Sequence, residues 1–90
     1  MITSFQMRAA RALLGIDQKT LAELAGVSLP TIQRMEASTG NVRGVVETLM
    51  KVVEAFERAG VELIGEQARS DSGGRGVRLR EPGPPRKVGA

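Results

Sequence analysis

Apolar side chains recur at helical spacing in four stretches of the chain, each bounded by residues that start or stop helices. In the first, Phe5, Ala9, Ala12 and Leu13 form a stripe that runs from Thr3, an N-cap with Gln6 at capping-box spacing, to a stop at Gly15. In the second, the Asp17 carboxylate accepts first-turn N–H groups, Leu21, Ala22 and Ala25 face inward, and Gly26 ends the helix. The third opens at Ser28 and places Leu29, Ile32 and Met35 on one side; Pro30 falls in its first turn, where a missing N–H costs nothing. All three starts also show the hydrophobic-staple spacing, in the pairs Ile2 and Met7, Ile16 and Leu21, Val27 and Ile32. The fourth helix is predicted from about Val45 to Ala59, with Val46, Leu49, Val53 and Phe56 as a buried seam and Gly60 just past its end. Val45, Val52 and Ala59 add a second apolar row, wider than a four-helix core of this size needs. That row implies a further partner surface, supplied either by a following hairpin or by a second chain.

From Gly60 the period changes to two. Val61-Glu62-Leu63-Ile64 and Val77-Arg78-Leu79-Arg80 are predicted as two strands joined by the loop Ser70 to Gly76, with Glu62 across from Arg78 or Arg80. A frayed tail is the competing reading. Glu81-Pro82-Gly83-Pro84-Pro85 then stops regular structure and leaves Arg86 to Ala90 as a mobile basic end. The predicted fold class is mainly α. A compact four-helix domain with the first strand occupies residues 1–65, the loop and second strand of a short C-terminal β-hairpin occupy 66–81, and a flexible basic tail occupies 82–90.

Composition narrows the functional classes. Ninety residues leave room for one small core, and the absence of Cys and His removes disulfides, thiolate metal sites, the commonest zinc ligand and the commonest general base. With no clustered carboxylates and no phosphate-cradling loop in a strand-to-helix context, the expectation is no catalytic residues, no metal and no cofactor. The chain carries a formal net charge of +3. In residues 1–65, however, Arg8, Arg11, Lys19, Arg34, Arg43, Lys51 and Arg58 balance Asp17, Glu23, Glu36, Glu47, Glu54, Glu57 and Glu62, so the body is neutral. The excess lies in the tail, where Arg69, Arg75, Arg78, Arg80, Arg86 and Lys87 outnumber Glu66, Asp71 and Glu81. Charge alone therefore does not mark the domain as a polyanion binder.

The informative stretch is Gln18 to Glu36. Two short helices joined by Ala25-Gly26-Val27-Ser28 must cross steeply, because a glycine that adopts positive φ permits the sharp turn and small Ala22 permits close approach. Leu29, Pro30, Gln33, Arg34 and Ala37 are left facing outward on the second of them. Arg and Gln beside compact apolar groups suit base edges and thymine methyls.

These residues resemble the helix-turn-helix of Cro/CI-type (XRE family) transcriptional regulators: Arg11 and Gly15, Gln18, Leu21-Ala22, Gly26-Val27-Ser28, Ile32 and Glu36. The resemblance covers about residues 5–56 and implies a λ-repressor-like domain whose third helix enters the major groove. It implies that Gln18 binds a DNA phosphate and that Leu29, Pro30, Gln33 and Arg34 face bases. Thr31 and Arg43 would approach the backbone, with Lys19 and Ser28 also in the DNA-binding set. An internal Arg11 to Glu36 ion pair is implied as well. Leu29 and Pro30 depart from the family in occupying positions that are often polar, which shifts base recognition toward Gln33, Arg34 and apolar contact.

The leading expectation is a sequence-specific regulator of transcription, a dimeric repressor or activator bound to double-stranded DNA at a palindromic operator. Its homodimer contact is expected from helix 4 and the hairpin, through Val45, Val52, Phe56, Ala59, Val61, Leu63, Val77 and Leu79. The alternative is a protein-interaction module, an antitoxin or antiactivator that keeps the scaffold and binds a protein instead. Neither reading involves a small-molecule ligand or a membrane. With no signal peptide or lipidation motif visible, the expected location is the cytoplasm, on the chromosome of a bacterium or phage. Arg78, Arg80, Arg86 and Lys87 are either nonspecific phosphate contacts or attachments of the hairpin.

Overall fold

The computed structural model describes residues 2–39, 46–65 and 73–80. Its elements follow in the order α1 (Ser4–Leu14), α2 (Gln18–Ala25), α3 (Leu29–Glu36), α4 (Val46–Arg58), β1 (Val61–Ile64) and β2 (Gly76–Leu79). The expectations for Arg43, Val45 and the tail at 82–90 lie outside the described residues.

Local chemistry sets the helix ends. Thr3 and Gln6 form a reciprocal capping box, with the Gln6 N–H donating to Thr3 Oγ1 at 3.1 Å and the Thr3 N–H donating to Gln6 Oε1 at 3.0 Å. At the other end Gly15 takes the left-handed conformation and its N–H turns back to the carbonyls of α1. The last turn of α2 is tied from elsewhere, as Arg58 Nη2 donates to the Leu24 carbonyl at 3.0 Å and so satisfies an acceptor the helix leaves open.

One core gathers Met7 and Ala10 from α1, Leu21, Ala22 and Ala25 from α2, Ile32 and Met35 from α3, and Leu49, Val52, Ala55 and Phe56 from α4, closed by Ile2 and Val61. Two faces differ from the expectation. On α1 the buried side carries Ser4, Gln6, Met7 and Ala10, while Phe5 is 66% exposed and Ala12 and Leu13 face outward. The expected stripe chose the row richest in carbon and passed over Gln6, whose polar atoms are satisfied internally and which can therefore be buried. On α4 the buried residues are Leu49, Val52, Ala55 and Phe56, with Val53 half-buried and Val46 70% exposed. The core-facing arc is thus rotated away from the Val46–Val53 row toward Val52.

That rotation corrects part of the expected dimer contact. Val52, Phe56 and Val61 are fully enclosed within one chain, because α2 and β1 pack over the inner face of α4. They are core residues and offer nothing to a second chain. Ala59 and Leu79 are exposed, and Leu63 and Val77 are half-buried.

β1 and β2 pair antiparallel in the register Val61 with Leu79, Glu62 with Arg78, Leu63 with Val77 and Ile64 with Gly76. The second strand thus starts one residue earlier than the alternation indicated. Arg78 Nη2 meets Glu62 Oε1 at 2.8 Å on the outer face. Gln6 ties the hairpin to α1: its Nε2 donates to the Ile64 carbonyl at 3.0 Å and to the Gly76 carbonyl at 2.9 Å. Those two residues are register partners, so a single buried amide holds both strands at the same rung. Ser4 Oγ, also buried, has no hydrogen-bond partner among the described residues.

Candidate nucleic-acid interface

The two helices of the candidate site are set by their caps and the turn between them. Asp17 Oδ1 accepts the Thr20 N–H at 2.8 Å at the start of α2. That hydrogen bond, reinforced by the Thr20 hydroxyl, holds the Asp17 carboxyl below its ordinary pKa. At the end of α2, Gly26 has φ 71° and the Val27 N–H reaches back to the Ala22 carbonyl at 3.0 Å. No heavy atom lies within 4 Å of where a Gly26 side chain would begin, so the glycine is required by its backbone conformation and not by space. Ser28 caps α3 by accepting the Thr31 N–H at 3.2 Å, and the Ser28 and Thr31 hydroxyls are 2.8 Å apart.

α3 is held by α1 and α2. It buries Ile32, Met35 and Glu36, leaves Leu29 and Thr31 half-buried, and exposes Pro30, Gln33, Arg34 and Ala37. The exposed residues fall at three- and four-residue spacing, so they form one row along the helix. Lys19 and Ser28 are also exposed, and Gln18 is half-buried. Of the described residues expected to face DNA, Pro30, Gln33 and Arg34 are exposed on the outer side of α3 and Lys19 at the start of α2, Gln18, Leu29 and Thr31 are half-buried, and the Ser28 and Thr31 hydroxyls share one hydrogen bond in the α3 cap.

Behind this surface, the three helices converge on Glu36. Arg11 Nε donates to Glu36 Oε2 at 2.7 Å and Arg11 Nη2 to Glu36 Oε1 at 2.8 Å, a two-pronged ion pair in which the Glu36 side chain is 3% exposed and that of Arg11 20%. The hydrogen bond to Glu36 raises the Arg11 pKa further above its ordinary value, overcoming the opposing effect of partial burial. Arg11 Nη1 also donates to the Ile16 carbonyl at 3.3 Å, which ties the α1 to α2 connection to the same point. Arg8 Nη1 donates to the Glu36 backbone carbonyl at the end of α3, with its guanidinium carbon 4.9 Å from the centre of the Phe5 ring.

Sequence reasoning missed the contacts of Gln18 with Glu36 and of Arg11 Nη1 with the Ile16 carbonyl. Gln18 does not simply point to solvent, because its Nε2 donates to Glu36 Oε1 at 3.1 Å. The contacts of Arg8 and Arg58 with backbone carbonyls were also not foreseen. A carbonyl acceptor carries no sequence signature; Arg58 at least ends α4, whereas Arg8 lies in the middle of α1.

Among the described residues no group of His, Cys, Asp and Glu could hold a metal ion, and no helix is long and apolar enough to cross a membrane. Comparison with curated proteins finds no match. A family model described as helix-turn-helix matches residues 7–63, well over half of the chain, and spans the caps, the Gly26 turn and the exposed row of α3. With that match added to the geometry, the chain belongs to the Cro/CI-type (XRE) family of helix-turn-helix DNA-binding regulators.

Proposed function

We propose that the protein acts as a homodimeric, sequence-specific repressor that reads a palindromic operator through α3 in the major groove. The observation that carries this reading is the exposed row Pro30, Gln33 and Arg34 on a helix whose other side is locked into the core by Ile32, Met35 and Glu36. In this pose Gln33 and Arg34 hydrogen-bond to base edges, while Pro30 and the edge of Leu29 supply apolar contact. Gln18, Lys19 and Thr31 lie nearer the phosphates, with Ser28 and Arg43 completing the DNA-contact set.

A single module of this size covers only a few base pairs, which favours two copies on one site, with recognition helices about 34 Å apart. The second copy would be met by the outer face of α4 and the hairpin. Val46 and Met50 are 70% and 50% exposed there, beside half-buried Val53 and Leu63. Ala59, Val77 and Leu79 border the same elements, as does Val45 in sequence. This replaces Val52, Phe56 and Val61, which the core consumes.

Titration of a labelled duplex at increasing salt, with light scattering on the same sample, tests the proposal. Affinity that falls steeply with salt, together with a complex containing two chains per duplex, is the expected result. A salt-independent response would transfer the function to the protein-partner alternative, and a one-chain complex would remove the dimer.

A further inference from the structure

Glu36 does more than pair with Arg11. Its carboxylate accepts three side-chain hydrogen bonds, two from Arg11 and one from Gln18 Nε2, and Oε1 is shared between Arg11 Nη2 at 2.8 Å and Gln18 Nε2 at 3.1 Å. The glutamine nitrogen carries two protons fixed in the amide plane. With one held by the carboxylate, planarity directs the other away from it. Gln18 is half-buried and is the first residue of α2, where backbone N–H groups lack acceptors within the helix. A free glutamine would lose much of its rotamer entropy on meeting a ligand; this one is already ordered.

We propose that Glu36 is a positioning residue for DNA binding. It holds the Gln18 amide so that the second Nε2 proton is presented to a phosphate oxygen at the start of α2. Arg11 acts one step further back, by fixing the Glu36 carboxylate through its two-pronged contact. The core that joins α1 to α3 and the phosphate contact of α2 then share a single carboxylate. This inference rests on the reading that Gln18 meets a DNA phosphate.

The test is a double-mutant cycle on binding to a fluorescein-labelled duplex of mixed sequence. Gln18→Ala is expected to weaken binding about tenfold. The paired substitution Arg11→Met with Glu36→Leu removes the carboxylate while refilling its place with apolar volume, a replacement that commonly preserves folding. It is expected to weaken binding about threefold to fivefold further than any direct effect of the lost Arg11 charge, and this excess disappears when Gln18 is already alanine. The Arg11 charge contributes equally in both backgrounds and cancels from the coupling. An equal loss in both backgrounds means that Glu36 acts only through the fold and overturns the proposal.

A second measurement on the parent protein does not depend on that variant folding. The two side-chain amide protons of Gln18 are followed by NMR as the duplex is added: one signal is expected to move while the Glu36-held signal stays. Two unmoved signals on a DNA-bound protein overturn the inference and leave DNA binding itself intact. A parent protein that binds no duplex overturns the proposed function as well.

Discussion

Removing the Glu36 carboxylate is the most informative perturbation of the fold. In Glu36→Ala, Arg11 loses both of its contacts at 2.7 and 2.8 Å, and the carboxylate it loses is 97% buried as judged by its 3% exposure. Deleting one partner of a fully buried pair costs about 3 to 5 kcal/mol, because the remaining charge is stranded. Arg11 keeps 20% of its side-chain surface and also reaches the Ile16 carbonyl, so its guanidinium regains part of its hydration. This lowers the expected cost to about 2 to 3 kcal/mol. The Gln18 amide, a neutral donor in a half-buried position, adds little. For a domain of this size each kcal/mol shifts the melting temperature by about 4 to 8 °C, so a fall of about 10 to 20 °C is expected. Thermal unfolding followed by circular dichroism measures it. Glu62→Ala is the internal control: its pair with Arg78 has a similar 2.8 Å distance, but the side chains are 43% and 59% exposed. A cost under about 1 kcal/mol is expected there. If the two variants melt together, burial does not distinguish the pairs and the reasoning fails.

Other outcomes are expected from the same structure. Gln6→Ala leaves the Ile64 and Gly76 carbonyls without their shared donor and uncaps the Thr3 N–H. Faster hydrogen exchange across β1 and β2, with α2 and α3 unaffected, is the expected result; protection that stays unchanged would deny Gln6 its clamping role. Ser4→Ala removes a buried hydroxyl that has no partner among the described residues and should raise the melting temperature slightly, whereas a marked fall would show that the hydroxyl is satisfied. The depressed pKa of Asp17 means that its cap stabilises α2 above the unfolded carboxyl value and loses that effect as pH falls through the lower folded value. Asp17→Asn, which keeps an acceptor oxygen but cannot titrate, should flatten that part of the acid unfolding curve, and an unchanged curve would refute it. Arg34→Ala should leave the melting temperature in place and weaken binding to a selected operator by about 1 to 3 kcal/mol, with specificity relaxed at one position. Undiminished affinity would remove Arg34 from the base-reading set.

The helix boundaries were legible because caps are local. Thr3 with Gln6, Asp17 and Ser28 each satisfy backbone groups within three residues, so the chain states the chemistry of its own helix starts. The turn at Gly26 was legible for the same reason. What the sequence hid was the choice of buried face on α1 and α4. Both helices carry more apolar residues than one face can hold, and the decision was made by partners distant in sequence: the hairpin carbonyls that accept from Gln6, and the packing of α2 and β1 against Val52 and Phe56. Of the candidate site, the exposed row of α3 was legible, since Ile32 and Met35 fix which side of the helix is left over. The tie between Gln18 and Glu36 was not, because two polar residues 18 positions apart carry no sign that one of them orders the other.

Whether α3 reads duplex DNA from a two-fold assembly is decided by selecting bound sequences from a random duplex pool with the full chain. The expected product is an enriched palindrome whose half-sites are about one helical turn apart, roughly 10 base pairs from centre to centre, with one position in each half-site losing its preference in Arg34→Ala. Recovery of no common sequence, or of one whose bases are unaffected by Arg34 and Gln33 substitutions, would contradict that reading.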